Sequence, residues 1–113
     1  MLIHDDDEFR KALIKSLDRK HFTVTFSADG DDAVRLLRER RFRVVLLCID
    51  VATRKGLTAL EYLRANREAL DASVIILGDP TPELRSHARA ADETLLKPVD
   101  PDYVAERART YCN

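Results

Sequence analysis

Three short stretches of this chain carry side chains of the kinds that hold cations or transfer groups. His4-Asp5-Asp6-Asp7-Glu8 is an acidic run close to the N-terminus, and carboxylates so grouped can hold a hard divalent cation such as magnesium, with water completing the shell. The same acids suit the first turn of a helix, where they cap exposed N–H groups and answer the macrodipole. Cys48-Ile49-Asp50 closes an apolar run. Asp50 could complete a cation site, accept a phosphoryl group or cap the turn before Gly56. Cys48 would face carboxylates, which disfavour a thiolate, so a small buried hydrophobe is expected there in preference to a nucleophile. Lys97 precedes Pro98. Its ammonium could reach an acidic pocket and pair with Asp5 or Asp50, and the Lys97-Pro98 bond can be cis at modest cost.

Groups this far apart in sequence need a scaffold that gathers them. Leu2-Ile3, Phe22 to Phe26, Val44 to Ile49, Val74 to Leu77 and, more weakly, Thr94 to Leu96 read as strands. Phe9, Leu13, Ile14 and Leu17 recur at helical spacing, as do Ala33, Val34, Leu36 and Leu37, then Leu57, Leu60, Tyr62 and Leu63. Thr81-Pro82-Glu83 and Asp100-Pro101-Asp102 each offer a capping oxygen, a proline at the first helical position and an acid near the positive helix end. The order is βαβαβαβαβα, one (βα)5 unit over residues 1–113 with no repeat and no linker. Right-handed crossovers then place helices on both faces of a parallel sheet. The expected architecture is a flavodoxin-like, doubly wound, five-stranded sheet of order 2-1-3-4-5. Its chemistry belongs at the carboxyl ends of the strands, beside the switch between the first and third.

Composition narrows the function. With 19 basic and 20 acidic side chains the formal charge is −1, so no global excess favours a nucleic acid or a membrane surface. Cys48 and Cys112 form neither a disulfide framework nor a metal-ligand spacing, and a reducing cytoplasm is the simplest compartment. No apolar run approaches bilayer length, and no Ser-His-Asp order or glycine-rich phosphate loop points to an enzyme.

Taken together, the acidic cluster, Ala28-Asp29-Gly30, Gly56-Leu57, Ala91-Asp92-Glu93 and Lys97-Pro98 resemble, in that order, the receiver domain of two-component response regulators, over essentially the whole chain. The resemblance implies a phosphoryl-accepting aspartate at the end of the third strand, a magnesium-binding acidic pair, a Thr or Ser after the fourth strand and an assisting lysine, here Lys97. This sequence departs from that pattern around one pocket. The acceptor position falls on Cys48, the hydroxyl position on Gly78 and the aromatic switch position on Thr94. The acidic pair falls on His4 and Asp5 or, with one residue deleted, on Asp5 and Asp6. The segment from Gly78 to Lys97 is also a few residues shorter than usual, which implies a short or displaced fourth helix.

These departures imply a pseudo-receiver, part of a longer signalling protein, that acts through protein–protein contact, needs no cofactor and retains at most weak magnesium binding at Asp5, Asp6 and Asp50. The expected partner is another signalling protein, met through the fourth and fifth strand–helix units around Arg85, His87, Thr94 and Tyr103. The alternative is a working phosphoacceptor using Asp50, which stands about 6–7 Å along the chain from Cys48. Arg35, Arg38, Arg40, Arg41 and Arg43 form a basic cluster that could bind nucleic acid, but Glu39 interrupts it, no aromatic ladder accompanies it and cations at a helix C-terminus already answer the dipole; docking of a partner's acidic surface is a milder use of the same arginines.

Overall fold

The computed structural model describes residues 2–3, 7–19, 26–27, 30–48, 57–87, 91–97 and 99–111. In chain order the elements are β1 (Leu2–Ile3), α1 (Asp7–Arg19), β2 (Phe26–Ser27), α2 (Gly30–Glu39), β3 (Val44–Cys48) and α3 (Leu57–Ala65). They continue with α4 (Arg67–Leu70), β4 (Ser73–Gly78), α5 (Pro82–His87), β5 (Glu93–Leu96) and α6 (Pro101–Thr110). All strand pairs are parallel and the order is β2-β1-β3-β4-β5, as the alternating pattern requires.

Side-chain alternation along the strands divides the interior into two layers. Val44, Leu46 and Cys48 of β3, with Ile75, Leu77 and Leu95, pack against Leu13 and Leu17 of α1 and Val104, Ala105 and Ala108 of α6. Val45, Leu47, Val74 and Ile76 face the opposite way, onto α2, α3 and Leu84 of α5. Every residue of β3 is buried, which explains its unbroken apolar sequence.

The two predicted proline starts form as expected. Thr81 Oγ1 accepts from the Leu84 N–H at 3.2 Å, and Asp100 Oδ1 accepts from the Asp102 N–H at 2.8 Å. After β4 the described part of α5 runs from Pro82 to His87, and residues 88–90, where the expected short helix would end, lie outside the described residues. One detail differs from the sequence expectation. The third helical segment is interrupted at Asn66, whose amide donates to the Tyr62 carbonyl at 2.8 Å while its backbone leaves the helical region, so α4 follows as a separate turn. That turn ends on Asp71 in the left-handed region, φ 49°. For the second strand only Phe26 and Ser27 are described; Phe22 to Thr25 of the expected strand lie outside the described residues. Among the described residues, no helix is long and apolar enough to cross a membrane.

Candidate functional site

The parallel register aligns the carboxyl ends of the central strands. Cys48 stands beside Leu77 and Leu77 beside Leu95, with Gly78 and Leu96 one residue further along. Cys48 is 9% exposed and belongs to the apolar layer beneath α1 and α6. Gly78 is buried and brings no hydroxyl; its carbonyl accepts the Lys97 N–H at 2.8 Å, which carries the pairing one residue past β5. Lys97 is half-buried and its ammonium lies 5.9 Å from the centre of the Phe9 ring, in the first turns of α1. His4, Asp5, Asp6 and Asp50, the acidic half of the predicted pocket, lie outside the described residues, as does Pro98 and with it the Lys97-Pro98 isomer. Among the described residues, no three His, Cys, Asp or Glu side chains group closely enough to hold a metal ion.

The residues predicted for a docking face flank β5, the last strand of the sheet. Arg85 and His87 lie on α5 and Tyr103 on α6, in the opposite layer. Because Leu95 points to the α1/α6 layer, Thr94 and Leu96 point to the other, where α5 stands. Arg85 is exposed, His87 and Thr94 are half-buried, and Tyr103 is 52% exposed. Leu96, which the sequence reading did not single out, is 50% exposed. The strand alternation, which sets an apolar side chain on the face opposite Leu95 of the edge strand, was the signal for it.

The amino end of β5 carries a polar clamp also missed in the sequence. Arg107 donates from Nε to both Glu93 oxygens at 3.0 and 2.7 Å, and from Nη2 to Oε1. The Tyr111 hydroxyl donates to the same carboxylate at 3.3 Å. The Arg107 hydrogen bonds hold the Glu93 carboxyl below its ordinary value; burial opposes this and the arginine's charge assists it. Asp92 accepts the Val74 N–H at 2.7 Å and the Arg67 guanidinium at 3.0 and 3.1 Å. These bonds anchor β5 to β4, α4 and α6. Elsewhere, the buried Ser16 hydroxyl of α1 donates to Asp102 of α6 at 2.6 Å, across a surface cleft of about 440 Å³.

The family model described as the response regulator receiver domain matches residues 1–109, and the chain belongs to that family. The transcriptional regulatory protein SrrA of Staphylococcus aureus is 23% identical over 109 residues, which are 96% of this chain and 45% of that protein. The chain therefore spans less than half the length of the curated relatives it matches. Among solved structures, a signal receiver domain from Bermanella marisrubri superposes with a TM-score of 0.83 at 24% identity, covering 99% of this chain and 95% of that one. TrrA of Thermotoga maritima, solved in complex with Mg2+-BeF, gives 0.80 at 22% identity, covering 97% and 95%. At these identities the likeness establishes the flavodoxin-like receiver fold. As a receiver, the chain is a two-component signalling module, a class that works by engaging partner signalling proteins.

Proposed function

We propose that this domain is a degenerate receiver that signals by docking to a partner protein without accepting a phosphoryl group. The observation that carries the reading is Cys48, a thiol seated in an apolar layer at the strand end where the family places its acceptor carboxylate. A thiol cannot form an acyl phosphate, and it removes one anionic ligand from a cation site. Gly78 offers no hydroxyl to a phosphoryl oxygen. The segment from Gly78-Asp79-Pro80 to Lys97-Pro98 further resembles the pseudo-receiver of the gliding-motility protein FrzS. Exposed Tyr103 and Leu96, with Arg85, His87 and Thr94 around the β5 edge, supply the kinds of side chain that anchor protein interfaces. On this reading the partner is a cytoplasmic signalling protein, not a nucleic acid or a membrane. No cofactor is required, and any magnesium bound at Asp5, Asp6 and Asp50 is held weakly.

The test is to incubate the domain with acetyl phosphate and magnesium and weigh the intact protein, with Cys48→Asp and Asp50→Ala alongside. Wild type is expected to remain unmodified. A phosphoryl adduct on wild type that disappears in Asp50→Ala would overturn the reading and make the domain a switch with a relocated acceptor.

A further inference from the structure

Arg38-Glu39-Arg40-Arg41-Phe42-Arg43 joins α2 to β3 at the amino ends of the strands, the pole opposite Cys48. Every cation in it is arginine. Its one carboxylate is already engaged, since Glu39 accepts from Arg35 at 3.1 Å while Asp32 holds the other arm of Arg35 at 2.6 Å. Arg40 and Arg41 are exposed and form no ion pair among the described residues. The backbone beneath them is fixed. The Arg40 N–H donates to the Leu36 carbonyl at 3.0 Å, and the Ser73 N–H donates to the Arg43 carbonyl at 2.9 Å. Half-buried Phe42 packs on the α2/α3 core, so its neighbours Arg41 and Arg43 are turned outward. Arg38 is laid over the Tyr62 ring, 5.6 Å from its centre.

Crowded like charges repel one another, and a helix dipole answers cations only within the last turn. A fixed array that extends past that turn is therefore suited to an external anion. Guanidinium forks match carboxylates bidentately in a way ammonium groups do not, and the Arg38 fork, laid over Tyr62 on a hydrogen-bonded backbone, loses less freedom on binding. We propose that this turn docks an acidic segment of a partner protein, a run of Asp and Glu whose carboxylates seat on Arg38, Arg40 and Arg41. A nucleic acid fits less well. The chain's net charge is −1, Arg38 covers one face of Tyr62, and Phe42 packs on the core, so among the described residues these two rings are poorly placed to stack on bases. This surface is separate from the β5 edge and stands whether or not the domain accepts a phosphoryl group.

Fluorescence anisotropy would compare a labelled peptide of alternating Asp and Glu with a labelled single-stranded oligonucleotide of equal charge, at low and at physiological salt. The peptide is expected to bind more tightly than the oligonucleotide, with affinity falling as salt rises. The Arg40→Glu/Arg41→Glu variant should weaken it by about tenfold or more. Arg38→Lys/Arg40→Lys/Arg41→Lys, which keeps the charge and loses the forks, should weaken it several-fold. Arg19→Glu/Arg109→Glu, which changes net charge equally at exposed positions on α1 and α6, should leave it unchanged, with melting curves confirming that each variant is folded. Tighter binding of the oligonucleotide, equal loss in both charge-reversal variants, or no binding of the peptide at low salt would each overturn the proposal.

Discussion

Replacing Cys48 by aspartate asks whether the rim can still hold a charge. The side chain is 9% exposed and lies in a row with Leu77 and Leu95, while the Lys97 ammonium rests over Phe9. An ionised carboxylate placed there loses most of its water. Buried polar groups without compensation cost about 1–3 kcal/mol and charges more, so a value of about 3 kcal/mol at neutral pH is expected. Unfolding entropy is about 2.1 cal/mol/K per residue. For 113 residues that is about 0.24 kcal/mol/K, so Cys48→Asp should melt about 13 °C below wild type. The pH dependence has a definite sign. Burial raises the folded carboxyl above its unfolded value, so below the ordinary aspartate range, about 3.9, both states are protonated and the charge penalty is absent. The penalty grows as pH rises and is complete once the folded carboxyl ionises. Thermal melts at pH 4 and pH 7, with Cys48→Asn as the neutral isostere, measure it directly. If Cys48→Asp melts within about 2 °C of Cys48→Asn at pH 7, the site still compensates a negative charge, and the reasoning from its apolar surroundings is refuted.

Other perturbations test the scaffold. Glu93 is held below its ordinary value by Arg107, so its contribution is full above that value and is lost as pH falls toward the depressed one. Glu93→Gln should flatten the acid limb of the melting curve against pH, and an unchanged limb would show the pair contributes nothing. Leu84 is 1% exposed and is the apolar anchor of α5. Leu84→Ala should cost about 2–5 kcal/mol in denaturant melts and speed hydrogen exchange over residues 82–87 first. Asp92→Ala, which strips the Val74 N–H of its carboxylate bond, should cost about 1–3 kcal/mol, while Asp92→Asn, able to keep that bond, should cost less. Equal losses in the two variants would assign the role of Asp92 to Arg67 instead.

What could be read from the sequence was what local chemistry decides. Val44 to Cys48 announced a strand buried on both faces because no polar residue interrupts it, and Thr81 and Asp100 announced helix starts because capping acts over two or three residues. Placing Cys48 as a small buried hydrophobe followed from the acids nearby in the sequence, which disfavour a thiolate, and it is 9% exposed in the apolar layer. The break at Asn66 was hidden because good helix formers flank it and the i to i−4 bond from its N–H to Tyr62 is kept; only its own backbone angles, beside a side-chain bond to the same carbonyl, leave the helical region. The Glu93–Arg107 pair was hidden for a different reason. Nothing near either residue specifies the other; the sheet order and the packing of α6 bring them together. Ala91-Asp92-Glu93 was recognisable as a landmark, but its use as an anchor needed Arg67, Val74 and Arg107 in place. His4, Asp5, Asp6 and Asp50 remain legible as motif alone.

The Ser16–Asp102 bond joins helices whose partners stand 86 residues apart in the chain. Closing so long a loop is entropically late, whereas β3, α3 and β4 can assemble from near neighbours. The time order expected from this span is that the central strands organise first and the α1–α6 contact locks afterwards. Substitutions at Ser16 should then leave the folding rate nearly untouched and speed unfolding, so this hydroxyl governs how long the native state survives rather than how quickly it is reached.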